Sequence, residues 1–215
     1  MKKNFLIIGA GRFGRYAAIR LHDLGHQVMV VDKEESRINK IMLFASDARI
    51  GDSTDKAFLQ SLGVRNFDAC LVTIGDDFLS SLQTTFTLQE LGAREVIARA
   101  TSSRQEKFLL RNGADAVVFP ERELGFWTAI RYSSDSISNY VDLSDGYGIL
   151  EINVPERWIG RKIGDLNVRR KYHVNILGLR NEQGRPDMDI RSDTTLQQGQ
   201  TMLVLGKTEH VQKIL

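Results

Sequence analysis

One run near the start of the chain, Asn4-Phe5-Leu6-Ile7-Ile8-Gly9-Ala10-Gly11-Arg12-Phe13-Gly14, restricts the fold more than any other. An apolar stretch enters a G-x-G-x-x-G turn, and an amphipathic segment from Arg15 to Leu24 leaves it. Gly9 permits the tight turn, Gly11 lets the backbone approach a diphosphate, and Gly14 lets the helix pack closely on the strand. The first helical turn leaves N–H groups unpaired, and the summed peptide dipoles favour an anion there. Asp32 closes the next apolar run, Gln27-Val28-Met29-Val30-Val31. That is close to the ~20-residue spacing expected of a ribose-binding carboxylate. Strand, fingerprint, helix, strand and terminal acid together describe a nucleotide-binding βαβ unit. The competing reading is a structural βαβ turn without a ligand.

A chain of 215 residues holds one large domain or two small ones, and an apolar fraction of 42% suffices for a core. The net charge of +2 gives no field strong enough to imply nucleic acid or an anionic membrane, so no nucleic-acid partner is expected. The single cysteine, Cys70, lies in an apolar run from Phe67 to Ile74 and reads as a buried small hydrophobe. One cysteine allows no disulfide within the chain and fits a reducing compartment. The first strand begins by residue 4, with no signal-peptide core ahead of it. No stretch reaches the ~18 apolar residues of a membrane span. The expectation is a cytoplasmic protein whose membrane connection runs through a partner.

Strand-like and helix-like patterns alternate through the first 140 residues. Strands are predicted at 5–8, 27–31, 48–51, 68–74, 95–100 and 116–119. Helices are predicted at 15–24, 34–44, 55–62, 78–91 and 103–112. The strands are apolar on both faces, as buried parallel strands are. The fold class is therefore α/β: a Rossmann-type doubly wound parallel sheet. A longer helix is predicted from Glu121 to Tyr140, and Asp142-Leu143-Ser144-Asp145-Gly146 then breaks the rhythm. The domains are drawn at 1–140 and 145–215. The second reads as a small α+β lobe, with strands at 149–154, 174–180, 188–191 and 201–205. Short helices are predicted at 161–166 and from Thr208. So small a lobe buries little surface alone, and it is expected to dimerise.

The candidate nucleotide-binding residues are Gly9, Gly11, Arg12, Phe13, Gly14, Asp32, Lys33, Asp52, Ser53, Thr73, Ile74, Gly75 and Arg99. Arg12 starts a helix, where a cation opposes the dipole unless a polyphosphate is bound. Asp32 suits ribose hydroxyls, or alternatively caps the helix near Glu34. Gly51-Asp52-Ser53-Thr54-Asp55 follows the third strand, beside the adenine position of such folds. Asp52 is placed to accept from the base, while Ser53 or Thr54 serves equally well as a helix cap. Thr73-Ile74-Gly75-Asp76-Asp77 ends the fourth strand across the crevice. Gly75 there permits close approach, and Asp76 or Asp77 reads as a cap. Arg99 ends the fifth strand and needs an anionic partner, either phosphate or carboxylate. Glu121 follows Pro120, where an acid favours a helix start. The four histidines, His22, His26, His173 and His210, form no metal set.

Groups expected of an enzyme are missing. No Tyr is followed by Lys four residues later, and there is no G-x-S-x-G elbow and no G-x-x-x-x-G-K-[ST] loop. A small NAD(P)-dependent oxidoreductase is the alternative function, and it lacks a visible acid/base pair. A bound nucleotide is more plausibly a signal than a reagent.

Taken together, Ile8 to Gly14, Val31-Asp32, Gly51 to Asp55, Ile97 to Ala100, Phe119 to Arg122 and Ile163 to Arg169 resemble the RCK (or KTN) domains of the Ktr/TrkA family. These are cytosolic regulators of bacterial potassium uptake. The resemblance implies a Rossmann domain followed by an RCK-C lobe, with homodimers assembling into an octameric ring beneath an integral-membrane potassium transporter subunit. It implies ATP and ADP competing for the crevice, with NAD(H) as the alternative nucleotide. On this pattern Gly9, Gly11 and Gly14 cradle phosphates, Asp32 binds ribose, and Asp52 and Ser53 flank adenine. Arg12 reaches the γ-phosphate across the dimer interface, with Arg99 as a further phosphate contact. Glu121 matches an acid that holds a divalent cation between subunits. In the lobe, Ile163, Asp165, Asn167, Arg169, His173 and Asn175 match positions that bind cyclic di-AMP in some relatives.

Overall fold

Six short apolar runs of the first half form one parallel sheet. In chain order the elements are β1 (Asn4–Ile8), α1 (Arg12–Asp23), β2 (Gln27–Asp32), α2 (Glu35–Asn39), β3 (Asp47–Ile50) and α3 (Lys56–Ser61). They continue with β4 (Ala69–Val72), α4 (Phe78–Glu90), β5 (Val96–Arg99), α5 (Ser103–Arg111), β6 (Ala116–Val118) and α6 (Pro120–Tyr132). The spatial order is β3-β2-β1-β4-β5-β6, with β1 hydrogen-bonded in parallel to both β2 and β4. Alternate residues point to opposite faces of a strand. Leu6 and Ile8 therefore join Cys70, Val72, Leu88 and Leu109 on one face, and Ile7 joins Val28, Val30, Ala18 and Ile41 on the other. Full burial of such a side chain contributes ~1.5–3 kcal/mol, which explains why both faces of these strands are apolar.

The computed structural model describes residues 1–215 and divides into two units, Met1–Glu121 and Arg122–Leu215. The second unit holds β7 (Ile137–Asp142), β8 (Tyr147–Asn153), α7 (Ile163–Leu166), α8 (Val168–Tyr172), β9 (Asn175–Arg180), β10 (Pro186–Asp187), β11 (Thr201–Lys207) and α9 (Thr208–Gln212). Its antiparallel sheet runs β10-β9-β11-β8-β7. Leu150, Ile152, Trp158, Leu196, Met202 and Val204 form its core, and Trp127 and Ile130 pack against them.

Two sequence expectations fail here. The helix predicted over 121–140 ends at Tyr132, and residues 137–142 form an edge strand of the second sheet. The reason is a register shift between Ile137 and Asn139. A bulge adds one residue, so Ile137 and Tyr140 both reach the core although they are three apart. Apolar residues three apart imitate a helical face. The boundary drawn at 140–145 accordingly differs from the division at 121/122. The strand predicted at 188–191 is also absent. Pairing occurs at Pro186–Asp187 instead, and the Asp187 carboxylate accepts the Asp189 N–H at 3.0 Å, turning the chain away.

Candidate functional site

The order of strands reverses direction between β1 and β4, and ligands of open α/β sheets bind beyond the carboxyl ends of strands at such a point. A cavity of about 700 Å³ opens there. The fingerprint turn forms its floor. Gly9 adopts φ +105°, a conformation open to glycine, and its N–H donates to the Val31 carbonyl at 2.7 Å. The buried Thr73 hydroxyl donates to the Gly9 carbonyl at 2.6 Å and to the Ile8 carbonyl at 3.1 Å, tying the turn to the end of β4. A Cβ on Gly14 would lie 2.0 Å from the Gly9 carbonyl oxygen. Gly14 is thus fixed by packing alone. Gly11 is different: a Cβ there would meet nothing within 4 Å. No protein atom requires a glycine at that position, and Gly11, Arg12 and Phe13 line the cavity. The first intrahelical bond of α1 runs from the Arg15 N–H to the Gly11 carbonyl, so the N–H groups of Arg12, Phe13 and Gly14 precede it.

Asp32 is buried at the end of β2. Its Oδ2 accepts the Ala10 N–H at 2.7 Å and its Oδ1 the Glu34 N–H at 2.9 Å. It therefore braces the fingerprint and starts the turn into α2, and it also faces the cavity. It is not the N-cap that the sequence offered as an alternative, since Glu34 holds that position without a side-chain cap bond; ribose binding by Asp32 belongs to the function proposed below. Asp52 accepts the Thr54 N–H at 2.9 Å and the Thr54 hydroxyl at 2.8 Å. These two bonds hold its carboxyl below the ordinary range. The Ser53 hydroxyl pairs with that of Thr84 at 2.8 Å, so this buried side chain is engaged by the fold. Asp55, not Ser53 or Thr54, caps α3, accepting the N–H groups of Ala57 and Phe58. Asp77 caps α4 through Ser80, which holds its carboxyl low.

Arg99 occupies the far wall. Its guanidinium donates to Glu121, lies over the Phe13 ring at 5.9 Å and packs so near Gly75 that a Cβ there would sit 2.3 Å from Nη1. This is the carboxylate partner that the sequence left open. At Glu121, burial acts to raise the pKa. Its own backbone N–H, the Arg99 guanidinium and the charge of Arg12 outweigh that and hold the carboxyl below its usual value.

Twelve of the thirteen nucleotide-binding candidates line the cavity, and Glu121 joins them. Gly14 does not, because it is buried against Gly9. Sequence reading missed Glu34, Arg37 and Ser80, which also line it. For Arg37 the available signal was its place three residues after Glu34. Glu121 is paired with Arg99, and no three His, Cys, Asp or Glu side chains converge within the chain. In the lobe, Asp165, Asn167, Arg169, His173 and Asn175 are exposed, while Ile163 packs on the core.

Comparison with known proteins follows this division. Residues 5–120 match the TrkA-N domain and residues 149–215 the TrkA-C domain. Ktr system potassium uptake protein C of Bacillus subtilis (strain 168) is 39% identical over 180 residues, covering 84% of this chain and 81% of the relative. The chain belongs to the Ktr/TrkA family of RCK-domain proteins. Ktr system potassium uptake protein A of the same organism is 33% identical over 211 residues, covering 98% and 95%. Among solved structures, the GsuK channel superposes on this family member with a TM-score of 0.70 at 21% identity. That match covers 99% of this chain, which spans only 38% of the GsuK chain.

Proposed function

We propose that this chain is a regulatory subunit that senses adenine nucleotide and gates a membrane potassium transporter, and that it performs no chemistry on the nucleotide. The observation that carries the reading is the open cavity at the β1/β4 switch point, where Gly11 borders empty space beside Arg12 and an uncapped helix start. The relatives support the partner: they bear the names of potassium uptake proteins. GsuK has been solved bound to NAD and bound to ADP. These ligands share an adenosine diphosphate moiety. ATP and ADP are the pair favoured for this chain, with NAD(H) as the runner-up. The subunits act as homodimers within an octameric ring at the cytoplasmic face of the membrane. No helix of the chain is long and apolar enough to cross it.

A ligand shifts a conformational equilibrium only through differential affinity for the states. ATP and ADP share base and ribose, so only groups touching the terminal phosphate discriminate. Arg12 and Arg99 are the cations near the phosphate end. A hydrogen bond to a charged group contributes ~1.5–3 kcal/mol. Calorimetric titration of the purified protein, with its assembly mass measured in each state, tests this. Arg12→Ala should weaken ATP roughly 10–100-fold and ADP much less. Equal losses for both nucleotides would refute the sensing role.

A further inference from the structure

Nucleotide-binding folds choose between ribose forms at the end of the second strand, with an acid for a free 2′-hydroxyl or an arginine for a 2′-phosphate. This chain carries both there, Asp32 and Arg37, and they point to opposite ligands. The ion pairs decide between them. Arg37 Nη2 lies 2.9 Å from Glu34 Oε1, and Nη1 lies 3.6 Å from Asp32 Oδ2. Asp32 Oδ1 in turn accepts the Glu34 N–H at 2.9 Å. The three residues close a ring, and all three line the cavity.

We infer that Glu34 is a specificity-determining residue: by engaging Arg37 it makes the pocket reject adenine nucleotides that carry a 2′-phosphate. The inference rests on the nucleotide reading above and goes beyond it. Two carboxylates share one guanidinium, so the ring carries surplus negative charge. A 2′-phosphate brings close to two more negative charges against it. Its neutralisation would require Arg37 to leave Glu34, and the unpaired carboxylate and phosphate would then repel. Lys33 also lines the cavity, and its charge is felt by Asp52 and Asp77. A free 2′-hydroxyl needs only an acceptor. A carboxylate offers about four lone-pair sites, and the Ala10 and Glu34 N–H groups take two of them.

The test is calorimetric titration of the full chain with ADP and with 2′-phospho-ADP, repeated with NADH and NADPH. Each pair differs by one phosphate. The wild type should favour the unphosphorylated member by roughly 10–100-fold. Glu34→Ser and the near-isosteric Glu34→Gln should shrink that ratio to a few-fold by freeing Arg37. Adding Arg37→Met to Glu34→Ser should restore the discrimination. A wild type that binds both members equally, or a ratio unchanged in both Glu34 variants, overturns the assignment. A wild type that binds none of the four ligands overturns the nucleotide reading itself, a different and recognisable failure.

Discussion

Replacing Thr73 by Val tests whether the fingerprint turn is held from the neighbouring strand. Thr73 is 4% exposed. Its hydroxyl reaches the Gly9 carbonyl at 2.6 Å and the Ile8 carbonyl at 3.1 Å. The Ile8 carbonyl keeps the Thr73 N–H at 2.8 Å in the variant, but the Gly9 carbonyl loses this donor in a buried setting. Valine has nearly the same shape, so little packing changes. An acceptor left unsatisfied costs ~1–3 kcal/mol, and for a unit of this size that lowers the melting temperature by on the order of 5–10 °C. The displaced Gly9 carries the phosphate turn with it, so ATP and ADP should weaken together. Thr73→Ser keeps the donor and should retain nucleotide affinity. Scanning calorimetry with and without nucleotide reads both effects. A Thr73→Val protein that melts with the wild type would refute the reasoning, as would a Thr73→Ser protein that binds nucleotide as poorly as Thr73→Val.

The two later fingerprint glycines should separate cleanly. Gly14→Ala forces a Cβ to 2.0 Å from the Gly9 oxygen and should destabilise by ~1–3 kcal/mol or more, read as an earlier urea midpoint. Gly11→Ala meets open space at φ −64°, so it should melt normally yet bind nucleotide poorly in the same titration. Burial raises the Cys70 thiol to about 12. At pH 8 a disulfide-exchange reagent should label it only at the rate of unfolding, whereas prompt stoichiometric labelling of the native protein would contradict its burial.

The parallel sheet was legible because its strands lie buried on both faces, and a continuous apolar run flanked by glycine has few other uses. The cavity was legible for a related reason: the switch point gathers the carboxyl ends of β1, β2, β4 and β5, each of which carries a chemically distinctive residue. What escaped was information held in space and not in sequence. The bulge in β7 gave Ile137 and Tyr140 a helical spacing. Ser53 and Thr73 were correctly placed beside the cavity, but nothing in the sequence shows that Thr84 and the Gly9 carbonyl occupy their hydroxyls. Gly14 and Gly11 read alike in a motif, yet one is explained by a carbonyl oxygen 2.0 Å from its missing Cβ and the other by emptiness.

The same distinction between engaged and available groups bears on how phosphate number is read. Arg99 enters the pocket already paired with Glu121, confined by Gly75 and stacked on Phe13. A phosphate that recruits it must first separate it from a carboxylate whose acidity that pairing strengthens. Its net contribution is therefore the difference between two charge-assisted bonds, each of ~1.5–3 kcal/mol, and is small whichever wins. Arg12 is exposed at the start of α1 and acts on Glu121 through its charge. Moving it onto a phosphate breaks no bidentate pair and relieves the unfavourable placement of a cation at a helix start. In the proposed sensor, discrimination between two and three phosphates would accordingly concentrate on Arg12.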